Sequence, residues 1–232
     1  MRLSPEIYFY PSESGLDFSK EFNSNSILLP SLNGGKHLLI DPGRAKSLGQ
    51  LIELIKEDGL DVAQVGLVFL THHHPDHVEA ADQLHKEIGC QLAMSEIDLK
   101  FLQGPGRVFF ERIVEDGVVV PNFKYPNPKL YKKLYSGPFF YQGNKFFLHD
   151  APGHSPGGLC LHWPERGLLV SGDVFFKGSI GTVNLPGGNK EQMSRVLKIL
   201  SGLGDVSLIL CGHGPAIVGQ AEIDYNYRQI LA

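Results

Sequence analysis

The sequence has 232 residues, of which 42% are hydrophobic and 20% are charged, and its formal net charge at pH 7 is -4. This composition excludes a disordered chain, and the small negative charge gives no electrostatic reason to bind nucleic acid or an anionic membrane surface. The cysteines at 90, 160 and 211 are widely spaced and form no CxxC pair, so neither a disulfide framework nor a thiolate zinc site is indicated.

The first half of the chain is predicted to open with an antiparallel meander and to continue with alternating helices and strands. The Asn33-Gly34-Gly35 segment has the composition of a turn between two strands. Apolar residues on one side predict the next helix, which Asp58-Gly59 ends. The predicted strands are 7–10, 26–29, 37–40, 65–70 and 91–94, and the predicted helices are 45–56, 77–88 and a short stretch that ends near 102.

The second half begins with a long segment that shows no regular pattern. Residues 104–141 are rich in glycine, proline and aromatic residues and are too many for an ordinary connection, so we expect a lid-like insert there. Regular patterns then resume, with predicted strands 145–149, 158–162, 168–171 and 206–211 and predicted helices 190–203 and 221–231. Strand-rich blocks that are each followed by helices predict two sheets between helical layers.

The start of the chain and the length of its apolar runs bear on location. The N-terminus lacks the basic region and apolar run of an export signal, and the longest apolar runs, such as 65–70, are too short to cross a bilayer. We therefore expect a cytoplasmic protein with a single domain over residues 1–232, which acts on a small molecule and has neither a nucleic-acid nor a membrane partner. The oligomeric state is left open.

A histidine cluster follows the apolar strand 65–70. The segment Thr71-His-His-His-Pro-Asp-His77 contains the pattern HxHxDH, formed by His72, His74, Asp76 and His77. Neutral imidazoles and a carboxylate are ligands that Zn²⁺ and Fe²⁺ prefer, and four of them on one loop can converge on one or two ions. The alternatives are a solvated polar loop or an expression tag, but a tag would stand at a terminus and would not be interleaved with Asp and Pro.

Three later segments each place one ligand-type residue next to a glycine turn after a strand. They contain His154 in Pro-Gly-His-Ser-Pro-Gly, Asp173 in Ser-Gly-Asp, and His213 in Cys-Gly-His-Gly-Pro. Glycine permits the sharp turn that directs a side chain at a strand end into a common cleft. Each segment alone is weak evidence, because a single histidine after a strand is more often structural. Their order after HxHxDH makes a shared site the better interpretation.

The ordered set resembles the metallo-β-lactamase superfamily, and most closely its glyoxalase II-like branch, over residues 25–215. The resemblance implies an α/β fold, an αβ/βα four-layer sandwich of two mixed sheets flanked by helices. It also implies that Asp41, in Leu-Ile-Asp-Pro-Gly, supports the site without binding metal. The metal ligands that it implies are His72, His74 and His154 for a first ion, Asp76, His77 and His213 for a second, and Asp173 as a bridge.

The activity that the resemblance implies is metal-dependent hydrolysis. We expect two divalent metal ions, with zinc as the first choice and iron or manganese as alternatives. A hydroxide held between two such ions can attack an ester-like carbonyl at neutral pH, and a thioester is the first expectation, ahead of a lactone. Asp76 is the predicted catalytic residue, because it can orient the hydroxide and help to move its proton.

Two other activities of related proteins remain open. A persulfide dioxygenase would hold one iron through two histidines and an aspartate, here His72, His154 and Asp173. A nuclease is the other alternative, and the net charge of -4 argues against it.

Substrate recognition is assigned to the 104–141 insert. Its aromatic residues and lysines can offer ring faces to a planar group and ammonium charges to an anion. The alternative is a surface excursion whose tyrosines only pack it down. The predicted substrate-binding residues are Tyr125, Tyr131, Lys132 and Lys133.

Overall fold

The computed structural model describes residues 2–12, 23–31, 34–111 and 123–231. The β-strands are β1 Arg2–Ser4, β2 Ile7–Tyr10, β3 Ser26–Leu29, β4 His37–Ile40, β5 Val65–Phe69, β6 Gln91–Ser95, β7 Tyr131–Leu134, β8 Gly137–Tyr141, β9 Asn144–Asp150, β10 Leu159–Trp163, β11 Leu168–Gly172, β12 Phe175–Phe176, β13 Ser179–Ile180, β14 Leu208–Cys211 and β15 Ile217–Val218. The α-helices are α1 Leu48–Glu57, α2 Pro75–Val78, α3 Ala81–Ile88, α4 Glu96–Leu102, α5 Val108–Glu111, α6 Lys190–Ser201 and α7 Gln220–Leu231.

Two mixed sheets form the centre of the fold. The first sheet has the order β1-β2-β3-β4-β5-β6-β7. Its strands β1 to β4 pair antiparallel, as predicted for the meander, and β4 to β7 pair parallel. The second sheet has the order β15-β14-β11-β10-β9-β8, in which only β11 and β14 pair parallel. Strands β12 and β13 form a small hairpin beside the second sheet.

Three hydrophobic clusters define the layers. The middle cluster lies between the two sheets and includes Phe69, Phe146 and Trp163. The outer cluster on the first sheet includes buried residues of α1, α3 and α4. The outer cluster on the second sheet includes buried residues of α6 and α7. The expected α/β sandwich, with two mixed sheets flanked by helices, is therefore confirmed.

Strand β5 shows why its sequence is almost continuously apolar. Val65 and Val68 belong to the cluster beneath the helices, whereas Leu67 and Phe69 belong to the cluster between the sheets. A strand that is buried on both faces and pairs parallel on both sides cannot show the alternation of polar and apolar residues. Its carboxyl end is therefore a rigid base for the histidine segment that follows.

The prediction of a lid-like insert over 104–141 is wrong for residues 131–141. Strand β7 pairs parallel with β6, and β8 pairs antiparallel with β9, so this stretch completes both sheets. Neither strand shows clean alternation in its sequence, because Lys132 and Lys133 are both exposed on β7 and the whole of β8 lies at a sheet edge. An edge strand also tolerates Pro138, which lacks an N–H to donate.

Other boundaries differ less. The predicted helix 77–88 is divided into α2 and α3, and the predicted helix 45–56 begins with one turn of 3-10 helix, Ala45–Ser47. Asn33 of the predicted turn and residues 112–122 of the predicted insert lie outside the described residues. Within the described part of the chain, no helix is long and apolar enough to cross a membrane.

Candidate metal centre

The predicted ligands follow strands that end at a common place in the fold. Strands β9, β11 and β14 run in the same direction, so the segments that carry His154, Asp173 and His213 leave the second sheet at one edge. The histidine segment after β5 meets them there, since the backbone N–H of Leu159 donates to the carbonyl of Thr71 over 2.9 Å. Loops at the carboxyl ends of strands are common places for catalytic groups.

The structure brings all of the predicted metal ligands together. The ligands form three overlapping groups of three residues, and within each group the ligand atoms lie within 4.8 Å of one another. All the residues concerned are buried. The groups are His72, His74 and His154; His72, His77 and Asp173; and Asp76, His77 and His213.

Asp173 lies between the two predicted ligand sets. Its Oδ2 atom is 3.5 Å from Nε2 of His154 and 3.3 Å from Nε2 of His213, and its Oδ1 atom is 3.3 Å from Nε2 of His77. On the second side, Oδ2 of Asp76 lies 3.1 Å from Nε2 of His213 and 3.6 Å from Nε2 of His77. One carboxylate therefore faces histidines of both sets, as a bridging ligand must.

Hydrogen bonds outside the cluster fix the orientation of three histidine rings. The Nδ1 atom of His154 donates to the carbonyl of Thr182 over 2.7 Å, and Nδ1 of His77 lies 2.8 Å from Oδ2 of Asp41. The hydroxyl of Thr71 donates to the same Asp41 oxygen over 2.6 Å, so it can only accept from Nδ1 of His72, at 3.0 Å. When such a ring is neutral, Nε2 is the unprotonated atom that it presents to the cluster, and this is the form that binds metal.

Gly212 allows Asp173 and His77 to lie close to its backbone. A Cβ atom at this position would lie 2.0 Å from Oδ1 of Asp173 and 2.8 Å from Cε1 of His77. Because real Cβ atoms do not approach other atoms so closely, any side chain here would displace both ligands. The glycine before His213 is therefore a requirement of the cluster and not only of the turn.

The carboxylates and the burial of the site shift the ionisation of its histidines in opposite directions. Burial lowers the pKa of His72 and His74 well below the usual value, and it lowers that of His154 as well. Burial acts in the same direction on His213, but Asp173 and Asp76 outweigh it and raise the pKa of His213 to about 9. The same balance raises the pKa of His77. Without metal, these shifts favour neutral imidazoles in the first set and protonated imidazoles at His77 and His213, beside the carboxylates of Asp76 and Asp173.

The residues present fit divalent metal ions. Several buried polar atoms of the cluster make no hydrogen bond in the structure, among them Nε2 of His77, Nε2 of His154 and Oδ1 of Asp173. Leaving such groups unsatisfied costs free energy, and a cation that binds them removes this cost. The 3.1 Å between Nε2 of His72 and Nδ1 of His74 suits two nitrogens that share one ion at about 2.0–2.1 Å.

Three of the predicted substrate-binding residues make contacts with groups outside this cluster. Tyr131 is buried in the outer core and its hydroxyl donates to Asp82, and the hydroxyl of Tyr125 donates to the carbonyl of Leu102. These contacts argue for a packing role for both tyrosines. Lys132 is exposed, and Nζ of the exposed Lys133 lies 2.9 Å from Glu96. A role of the two lysines in substrate binding stays a prediction.

Sequence reasoning missed three side chains next to the histidine segment. The rings of Phe101 and Phe109 lie 5.0 and 5.4 Å from the ring of His73, and Phe109 also lies 4.7 Å from His74. The carboxylate of Asp98 contacts His73 from α4. The sequence offers no signal for the phenylalanines, and Asp98 has the pattern of a residue in a helix cap, Ser-x-x-Asp.

The histidines without a predicted ligand role have other contacts. The Nδ1 atom of His85 lies 2.8 Å from the carbonyl of Cys90, and Nδ1 of His37 accepts from the backbone N–H of Ser31. His149 and His162 lie side by side on β9 and β10. These contacts indicate structural roles for these histidines.

A family model matches most of the chain. The model describes the metallo-beta-lactamase superfamily, and the match covers residues 19–213. This range includes all of the ligands described above.

Individual relatives agree with this match. The chain is 32% identical to hydroxyacylglutathione hydrolase GloC of Haemophilus influenzae, over 79% of this chain and 83% of the relative. It is 30% identical to the probable metallo-hydrolase YqgX of Bacillus subtilis, over 82% and 85%. Among solved structures, TTHA1623 in a di-iron-bound form matches with a TM-score of 0.68 and 28% identity, over 89% of this chain and 93% of that one.

Proposed function

The chain belongs to the metallo-beta-lactamase superfamily and is a metal-dependent hydrolase, and we propose that it hydrolyses a thioester with the help of two divalent metal ions. Zinc is the first choice of metal, with iron or manganese as alternatives. The observation that carries the proposal is the pair of ligand triads, His72, His74 and His154 on one side and Asp76, His77 and His213 on the other, with Asp173 facing both.

The chemistry divides between the metals and the residues around them. When bound, two such ions lower the pKa of coordinated water towards about 7 and polarise the substrate carbonyl. Asp76, which belongs to the second triad, would orient the attacking water and accept its proton. Because the cluster supplies the nucleophile in this way, neither a serine nor a cysteine nucleophile is needed. The three cysteines agree with this, since each is buried.

The thioester assignment rests on a relative and on one contact. GloC is named a hydroxyacylglutathione hydrolase, and a substrate of that kind is a thioester. In this chain the half-buried ring of Phe109 lies 4.7 Å from the ring of His74. An aromatic surface beside the first triad can pack against the apolar part of an acyl group while its carbonyl faces the cluster. A lactone offers the same carbonyl and is the next candidate.

The dioxygenase alternative receives less support. It needs one iron held by His72, His154 and Asp173, and the remaining triad would then have no role. A similar solved structure is in a di-iron-bound form, so the presence of iron does not by itself indicate a site for one ion. The number of ions and the uptake of oxygen do distinguish them.

The test is an assay of untagged protein on matched substrates. We expect release of free thiol from acyl-glutathione or other acyl thioesters at a kcat/KM higher than for lactones, β-lactams or phosphodiesters. His154→Ala should abolish turnover, whereas His85→Ala, a matched change outside the cluster, should leave it unchanged. Oxygen uptake with a persulfide substrate and no thioester hydrolysis would overturn the proposal.

A further inference from the structure

Asp98 is a fully buried carboxylate beside the metal centre that is not one of its ligands. It lies in the first turn of α4 and its exposed fraction is 0%. Burial of a carboxylate is unfavourable unless hydrogen bonds compensate it. The capping interaction of α4 does not supply this compensation, because it uses the backbone N–H of Asp98, which donates to Oγ of Ser95.

One set of contacts joins Asp98 to the histidine segment. Its Oδ2 atom accepts a hydrogen bond of 3.1 Å from the backbone N–H of His73. The ring atom Nδ1 of His73 lies 3.0 Å from the same oxygen. His73 is the residue between His72 and His74, so Asp98 holds the backbone that spaces two ligands of the first triad.

A second set of contacts joins Asp98 to the segment that carries the third ligand. The hydroxyl of Ser155 donates to Oδ2 over 3.0 Å, and the backbone N–H of Gly157 donates to Oδ1 over 2.7 Å. Ser155 follows His154 directly. A Cβ atom on Gly157 would lie 2.5 Å from the backbone nitrogen of Asp98 and 2.8 Å from Oδ1, so only glycine permits this approach.

The donors explain why the residue is an aspartate. An ionised carboxylate accepts hydrogen bonds on both oxygens and has no hydrogen of its own. Asparagine has the same shape, but its amide group would turn hydrogens towards donors on one side. Hydrogen bonds to a charged acceptor are also stronger than those to a neutral one. Asp98 is therefore suited to clamp two separate segments of backbone in a fixed relation.

We propose that Asp98 is a positioning residue that clamps the His72–His74 segment to the His154 segment and thereby sets the affinity of the first metal ion selectively. This rests on the metal binding assumed in the proposed function. The ligands of the second triad depend on other contacts, since His77 is oriented by Asp41. Loss of the clamp should spread the three histidines of the first triad and leave the second triad in place.

The test measures the metal affinity of each site separately, in full-length variants that keep only one of the two sites. His213→Ala leaves the first site, and His154→Ala leaves the second. Into each background we would introduce Asp98→Asn and measure Zn²⁺ and Co²⁺ affinity by chelator competition, with the Co²⁺ absorption spectrum as a report of ligand geometry. We expect a fall in affinity of roughly 10–100-fold at the first site, as for other residues that orient metal ligands, with a changed spectrum. The second site should keep its affinity and spectrum.

Two further variants provide a milder change at the same contacts and a control. Ser155→Ala removes one donor to Asp98 and no charge, so it should weaken the first site by less than Asp98→Asn does. If Asp98→Asn does not fold, weakening of the first site alone by Ser155→Ala is the test. Asp82→Asn is the matched control, because Asp82 also accepts hydrogen bonds from two groups, the backbone N–H of Asn127 and the hydroxyl of Tyr131. It should change neither site.

The outcomes separate this inference from the proposed function. Equal loss of affinity at both sites would make Asp98 an ordinary structural residue and overturn the proposal, as would unchanged affinity at the first site. Selective weakening of the first site would support it even if thioesters are not hydrolysed, because the measurement does not depend on turnover.

Discussion

The Asp41 carboxylate holds the His77 ring, with Oδ2 of Asp41 lying 2.8 Å from Nδ1 of His77. Asp41 also accepts from the backbone N–H and the hydroxyl of Thr71, so it is anchored on both oxygens. Its φ of 49° is unusual for a residue with a side chain. An unusual backbone conformation that places a carboxylate behind a predicted metal ligand indicates a requirement of the site.

We expect Asp41→Asn to weaken the ion held by His77 by roughly 10–100-fold, because the variant no longer fixes the ring and its tautomer. Chelator competition in the His154→Ala background measures this directly. Asp61→Asn changes an exposed carboxylate that caps a 3-10 helix, and it serves as the control. Equal affinity in the two variants would show that Asp41 does not act on His77.

Because Asp173 is predicted to bridge two ions, its replacement should remove more metal than the replacement of a residue that binds one ion. We expect about two metal ions per chain in the native protein, loss of both in Asp173→Ala, and loss of mainly the second in His213→Ala. Elemental analysis after gel filtration measures the stoichiometry. One ion in fully active protein would contradict the two-metal proposal, and full occupancy in both variants would contradict the assignment of these residues.

Much of this site could be predicted because its signals are local. The HxHxDH pattern places four predicted ligands within one segment, and the fold class followed from a family resemblance that the ordered glycine turns carried. The loops after β9, β11 and β14 each add one more predicted ligand at the same edge. A motif of this kind can be recognised in the sequence without knowledge of strand register or of the neighbouring strands.

Other features depend on partners that are distant in sequence. Asp98 receives donors from residues that lie 25, 57 and 59 positions away, whereas its local sequence, Ser-x-x-Asp, indicates only a helix cap. Strand β7 has the sequence Tyr-Lys-Lys-Leu, whose two exposed lysines conceal its pairing with β6. Such elements acquire their structure from the strand beside them, so the sequence predicted an insert instead.

Asp76 is predicted to act on the attacking water rather than on substrate binding. Asp76→Asn should therefore lower kcat by more than it changes KM, because the amide cannot accept a proton. Steady-state kinetics on the best thioester, with metal content measured on the same samples, separates a chemical defect from a loss of metal. A normal kcat with a raised KM would make Asp76 a binding residue.

The opposite pKa shifts predict that the two metal sites respond differently to pH. His213, with a pKa of about 9, and His77, whose pKa is also raised, are protonated near neutral pH and must lose a proton before they bind metal. Affinity at the second site should therefore rise as pH increases from 6.5 to about 9. His72, His74 and His154 have lowered pKa values and are already neutral, so affinity at the first site should change little over this range.

Calorimetry in buffers of different ionisation enthalpy measures this proton release. The His154→Ala protein, which keeps the second site, should release protons when metal binds at pH 7. The His213→Ala protein, which keeps the first site, should release fewer. Equal release from both proteins would contradict the opposite ionisation of the two triads.

The final prediction concerns Lys132 and Lys133. Although these lysines belong to a strand and not to a lid, β7 runs parallel to β6, so its carboxyl end lies at the edge where β6 leads into α4 and Asp98. Lys133 is ion-paired with Glu96 at the start of that helix, and Lys132 is exposed. Both side chains are exposed, and Lys133 remains so although it is paired with Glu96, so their positive charges can attract a negatively charged part of the substrate. Salt screens exposed charges of this kind. We expect the Lys132→Ala, Lys133→Ala double variant to raise KM for an anionic thioester, by less at high salt, without changing KM for a neutral analogue or the metal content.

Glu96→Gln, which removes the partner of Lys133 and keeps the lysine, is the control and should not raise KM. Equal kinetics of the double variant and the native protein on both substrates would show that these lysines only cover the surface of the strand.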